Sequence, residues 1–325
     1  MAYEIRPSRA LDAEFRKAAF AQIDRALKDL RREDGDPHGA VHEARKRFKK
    51  LRGLVRLIRP ADERLYGDLN AAFREGARGL SGVRDKAALI EALDDLVEGY
   101  DDKLRVRSLD AVRKKLMAER DAAAKDEGAL ANSRQSAIHA LEQARSKVEA
   151  FQIGGGRHDA KKAGRLLARG AGQTYARAHA ALQRAEKTRK AADLHELRKR
   201  VKYHWMHLRL LAPAWPDAFK APMDVAKAVA DDLGRDHDFA VMRAEIRAEP
   251  KAYGDEETLS LLLALLDRRQ SELRERGLAG ARRLLVESDE SFAGRIEALY
   301  RLAASESAGA SVMPAEAPGA EHRVA

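Results

Sequence analysis

Apolar residues recur at three- and four-residue spacing along almost the whole chain, and the Val/Ile/Thr alternation that marks half-buried strands is absent. That period predicts helices nearly end to end and an all-α fold. Asp, Gly and Pro interrupt it at 34–37, 59–61, 154–156, 213–216 and 249–254, where turns are expected. The pattern accommodates about a dozen helices. From Ala303 it dissolves into a stretch rich in Ala, Ser, Pro and Gly, which predicts a disordered tail over 303–325 that carries no chemistry.

The helical pattern also repeats. VHEARKRFKKLRGLVRLIRP, from Val41, lies over LHELRKRVKYHWMHLRLLAP, from Leu194, at a constant offset of 153 residues. In that register His42, Glu43, Arg45, Lys46, Arg47 and Lys49 meet His195, Glu196, Arg198, Lys199, Arg200 and Lys202. Arg56 and Pro60 likewise meet Arg209 and Pro213, and without a gap LSGVRD from Leu80 lies over LGRDHD from Leu233. Two unrelated Lys/Arg-rich helices would not hold register through the loop between, so the chain reads as an internal duplication centred on glycines 154–156. The expected architecture is two helical bundles related by a pseudo-two-fold axis, one in each half, 8–151 and 157–302.

Projected on a helix, Arg52, Arg45, Arg56, Lys49, His42 and Lys46 fall within an arc of roughly 120°. Ala44, Phe48, Leu51, Leu54, Val55 and Ile58 occupy the opposite side, a stripe wide enough to seat the helix in a core. The second copy is two-faced in the same sense, with His195, Arg198, Lys199, Lys202 and Arg209 on one side and Leu197, Val201, Leu208 and Leu211 on the other. The chain's net charge is +10, yet residues 42–59 carry +7 and 195–212 carry +4, so the remaining 289 residues sum to −1. Arg45/Lys49, Arg52/Arg56 and Arg198/Lys202 are like charges at i,i+4, each pair costing about 0.2–0.5 kcal/mol. An anion laid along both faces would offset that cost, and a histidine protonated beside an oxyanion can donate from both ring nitrogens.

The rest of the composition mainly excludes. No cysteine is present, which removes disulfides, thiolate metal sites and cysteine nucleophiles and fits a reducing compartment. No signal-peptide pattern and no 18-residue stretch without a charge is found, so a cytoplasmic protein with no membrane insertion is expected. There is no phosphate-binding G-x-x-x-x-G-K-[ST] loop. His38 and His42 have the spacing of a helical metal pair, and Asp236, His237 and Asp238 cluster, but neither set has an identifiable further ligand. No enzyme, catalytic residue, metal or cofactor is expected.

The H-x-x-R-x-x-x-K pattern, once in each half, followed by the boxes at Leu80 and Leu233, resembles the CHAD family, the conserved histidine α-helical domain. The resemblance covers about residues 8 to 302 and implies a single domain, 1–302, whose basic helices face a shared central groove, with inorganic polyphosphate as partner. It implies anion contacts from His42, Arg45, Lys49 and Arg52 and from His195, Arg198, Lys199 and Lys202, and residence at polyphosphate granules. Where the motif places an arginine ten residues after the histidine, the second half has Trp205. His204 and His207 read as core or boundary residues, and Asp85 and Asp238 as helix caps or partners of a basic residue, with Arg84 and His237 beside them within reach of the groove. Some family relatives carry a triphosphate-hydrolase domain with Glu-x-Glu strands, and no such repeat occurs here. The alternatives are binding of a nucleic-acid backbone or of an acidic partner protein. The cationic faces carry at most Trp205, where single-strand binders interleave several aromatics to stack bases, and neither basic helix has the Asn or Gln that read duplex edges. Oligomeric state and chain-length preference are left open.

Overall fold

The computed structural model describes residues 3–32, 37–80, 82–98, 109–124, 127–153 and 158–310, and among these the secondary structure is helical with no strand. In chain order the helices are α1 (Leu11–Arg31), α2 (Pro37–Leu57), α3 (Glu63–Gly79), α4 (Gly82–Glu98), α5 (Asp110–Ala124), α6 (Glu127–Glu149), α7 (Ala160–Thr188), α8 (Ala191–Leu211), α9 (Pro216–Ala248), α10 (Glu256–Leu284) and α11 (Asp289–Ala310). The expected breaks at 59–61, 213–216 and 249–254 separate α2 from α3, α8 from α9 and α9 from α10. Residues 34–36 and the glycines 154–156 lie outside the described residues. Aspartates start three helices, Asp62, Asp159 and Asp255 each accepting from the backbone N–H three residues on at 2.8 Å, which satisfies a donor that the first turn leaves without a partner.

The helices pack in three groups. α1, α2, α3 and α6 form one, and α7, α8, α11 and the start of α9 form another. Their apolar sides merge into a single core. The stripe expected on α2 is buried in full: Ala44, Phe48, Leu51, Leu54, Val55 and Ile58 are all 0% exposed. Each of the large ones contributes roughly 1.5–3 kcal/mol by leaving water. Leu197, Val201, Leu208 and Leu211 of α8 are buried likewise.

The third group draws two helices from each half, because α4 and α5 cover their apolar side with the end of α9 and the start of α10. Leu93, Leu96, Val112 and Leu116 meet Phe239, Met242, Leu262 and Leu266 in this second core. The halves are thus not self-contained bundles: the N-terminal one sends a hairpin across to the C-terminal one.

At the centre α2 packs against both α7 and α8. A Cβ at Gly170 of α7 would lie 1.8 Å from the Leu57 carbonyl oxygen of α2, so only glycine permits this backbone approach. His207 of α8 closes the other contact through Nε2, 3.0 Å from the Gly53 carbonyl of α2. The expected tail begins late, since α11 runs through Ala310, eight residues past Leu302. Alanine, the strongest helix former, fills half of 303–310, and Ala304 is buried. Residues 311–325 lie outside the described ones.

Candidate functional site

The two basic helices pack on each other with their apolar sides inward, which leaves the cations at the surface or just beneath it. In both, the one glutamate of the motif is used locally. Glu43 pairs with Lys46 at 2.6 Å and Arg47 at 3.4 Å, and Glu196 pairs with Lys199 and with Arg200 at 2.6 Å. Two of the expected contact residues, Lys46 and Lys199, are therefore neutralised within their own helix turn.

The motif arginines Arg45 and Arg198 each hold a backbone carbonyl. Arg45 Nη1 donates to the Leu80 oxygen at 2.9 Å, and Arg198 Nε to the Ala230 oxygen at 3.3 Å. These acceptors end α3 and lie in α9, so each guanidinium ties a basic helix to the segment carrying the following box. Gly234 of the second box makes room for Arg198: a Cβ there would stand 2.9 Å from both Nε and Nη2.

Around Arg198 the C-terminal face is partly dry. Burial, opposed by Asp238 and Asp231, lowers the pKa of Arg198. Lys202 is pushed down by burial and then by Arg198. His195 is half-buried, with its ring centroid 3.8 Å from that of His237. Burial, then His237, Arg198 and Lys199, takes its pKa down to about 4, and its Nδ1 is buried without a hydrogen-bond partner. His237 thus joins the face. Asp238 lies mid-way along α9 and cannot cap a helix, so its role is the other expected one, a carboxylate beside basic residues. Asp236 is turned inward, accepting from Gln270 and Arg274. The side chains of His38, Arg84 and Asp85 lie outside the described residues.

On the N-terminal helix His42 is half-buried and Lys49 exposed. Arg52 donates from Nε to Asn70 Oδ1 at 3.1 Å and lies over the Tyr203 ring. Arg56 is placed differently from expectation: at 8% exposure it sits beneath the face, its guanidinium 4.3 Å from the Tyr203 centroid and 5.5 Å from that of Tyr66. Arg209, its counterpart, is exposed and lies over Trp205 at 5.6 Å, so the indole supports a cation rather than standing in for one. His204 and His207 are core residues, 1% and 0% exposed, with pKa values pushed down to about 3 mainly by burial.

Arg52, Arg198, Lys202 and Arg209 form no ion pair among the described residues, so the positive surplus is available to an external anion. Sequence reasoning missed Tyr66, Tyr203 and Asn70. Tyr203 flanks the cationic arc of α8 and was visible there, whereas Tyr66 and Asn70 come from α3, whose docking no local pattern encodes.

Among the described residues no group of three or more His, Asp or Glu side chains could hold a metal ion. No helix of the described residues is long and apolar enough to cross a membrane. No curated protein matches the chain. The family model described as the CHAD domain matches residues 15–247, from α1 to the end of α9. With that match covering well over half its length, the chain belongs to the CHAD domain family.

Proposed function

We propose that this protein binds inorganic polyphosphate, without catalysis, along a basic groove formed by the outward faces of α2 and α8. The observation that carries the reading is a set of cations that form no ion pair among the described residues, Arg52, Arg198 and Lys202, with Asp231 and Asp238 acting on the last two only at longer range, on two helices that pack on each other. Partial burial makes the charges on Arg198 and Lys202 costly in the free protein, and a chain of phosphates would offset that cost. Membership of the CHAD domain family supports this partner class. His42, Arg45 and Lys49 with His195 supply the remaining contacts, and polyphosphate granules are the corresponding place of action.

An internal duplication accounts for two faces on one ligand. Shifted by the 153-residue offset, α1 falls within α7, α2 on 190–210 beside α8, and α3 with α4 on 216–232 and 235–251 along α9. α5 then falls within α10, and α6 on 280–302 along α11. The pairs that would lie across the pseudo-two-fold axis, α2 with α8 and α4 with α9, are in contact.

Competition tests the reading. Labelled long-chain polyphosphate bound to the protein should be displaced by unlabelled polyphosphate far better than by DNA of equal charge or by an acidic peptide. DNA displacing it equally well points to general recognition of phosphate backbones, and an effective peptide points to an acidic protein partner.

A further inference from the structure

Beside the histidine-bearing faces, where the end of α2 meets α3, α7 and α8, a second group of arginines gathers on aromatic faces. Arg56 and Arg59 lie over the Tyr66 ring at 5.5 and 4.9 Å, and Arg56 also over Tyr203 at 4.3 Å. Arg177 joins from α7, close enough to Arg59, Arg56 and Arg200 for all three to oppose its charge, after burial itself. Two carboxylates answer these four guanidiniums: Glu63 pairs with Arg59 at 2.6 Å and Glu196 with Arg200 at 2.6 Å. Arg56 and Arg177 pair with no carboxylate among the described residues. Arg56 is more than nine-tenths buried, and its Nε has no hydrogen-bond partner.

A buried guanidinium stacked on rings but lacking an acceptor, next to a second unpaired arginine, is an arrangement that one oxyanion completes. Stacking orients the planar forks, and their N–H groups match phosphate oxygens. We infer that Arg56, Arg59 and Arg177, against the face of Tyr66, form a second oxyanion site, off the histidine-bearing faces, that takes a phosphoryl group. Its position beside α2 allows two sources for that group, the end of a polyphosphate chain or a free phosphorylated small molecule. The site does not depend on long-chain binding, because Arg59, Arg177 and Tyr66 are not among the groove contacts proposed for the chain.

The probe is pyrophosphate, titrated calorimetrically into the full chain in phosphate-free buffer, with melting temperature read in parallel. Arg177→Gln should lose about tenfold or more in pyrophosphate affinity, the size of one charge-assisted hydrogen bond. Arg113→Gln, on α5 where it pairs with Asp94 away from both anion-binding faces, should stay within about twofold of wild type, as a distant independent site does. Free Arg177→Gln should melt no lower than wild type, since the change relieves like-charge repulsion, and pyrophosphate should no longer raise its melting temperature. Arg177→Lys, which keeps the charge, should retain part of the binding. Wild type failing to bind pyrophosphate, Arg177→Gln binding it as wild type does, or Arg113→Gln losing it equally would each overturn the site. If long polyphosphate displaces pyrophosphate, the chain end fills the site; if both bind together, a small phosphorylated molecule does. Loss of pyrophosphate binding in Arg177→Gln with no long-chain binding by wild type would sustain this site while refuting the proposed function.

Discussion

The imidazole of His195 lies against that of His237, with ring centroids 3.8 Å apart and planes tilted by 37°. One histidine comes from the basic helix and the other from the box that follows it, so two sequence features meet as one surface. Burial, with this contact second to it, sets the charge state. With a pKa near 4, lowered by burial and then by His237, Arg198 and Lys199, His195 is neutral in the free protein at pH 7.

This moves the pH window for binding. Sequence alone places the protonation of a phosphate-bound histidine near the reference value of about 6.5. A polyanion must instead raise the pKa of His195 from about 4, so affinity should be flat from pH 8 to about 6.5 and rise as pH falls below it. His195→Gln keeps a donor but cannot titrate, and its affinity should rise less over the same acid series. An unchanged acid response in the variant would remove His195 from the site.

Gly234 offers a way to move Arg198 without touching its charge. The Cβ of Gly234→Ala would meet the Arg198 guanidinium at 2.9 Å, and that flexible end can swing away. Polyphosphate affinity should fall several-fold while stability changes by less than about 1 kcal/mol, since Ala also suits the middle of a helix better than Gly. Wild-type binding by Gly234→Ala would show that the seat of Arg198 does not matter.

The buried histidines predict an acid limit to stability. His204 packs between Tyr175 and Phe292, and His207 bonds the Gly53 carbonyl; both have pKa values near 3 in the fold. Above about pH 6.5 they are neutral folded and unfolded and contribute no pH dependence. Below it the unfolded chain takes up protons that the fold refuses, so stability declines from about 6.5 toward 3. The melting temperature should therefore drop between pH 6.5 and 5, above the range where carboxylates titrate, and His204→Leu should drop less. A melting temperature constant over that interval would contradict the burial of charge-sensitive histidines.

Much of this was legible because it repeats within one helix turn. The buried stripe from Ala44 to Ile58, the cationic arcs and the core placement of His204 and His207 follow from a 3.6-residue period. What stayed hidden depends on which helix lands where. Arg56 and Arg209 occupy equivalent positions, yet one is sealed between Tyr66 and Tyr203 and the other lies exposed on Trp205. Only the docking of α3 and α8 on α2 makes that difference. The same holds for Asp238: the box reads as a helix start where Leu80 precedes a break, but α9 passes through it unbroken.

The central claim is that several unpaired cations on α2 and α8 neutralise phosphates together, and its most direct test is the salt dependence of polyphosphate binding. Titration of the full chain with long-chain polyphosphate across a salt series should give a log affinity that falls steeply and linearly with log salt, because each neutralised phosphate releases counterions. The double variant Arg52→Gln/Arg198→Gln should flatten the slope by about two contacts relative to wild type. A wild-type affinity that barely responds to salt, or a double variant with an unchanged slope, would contradict the account.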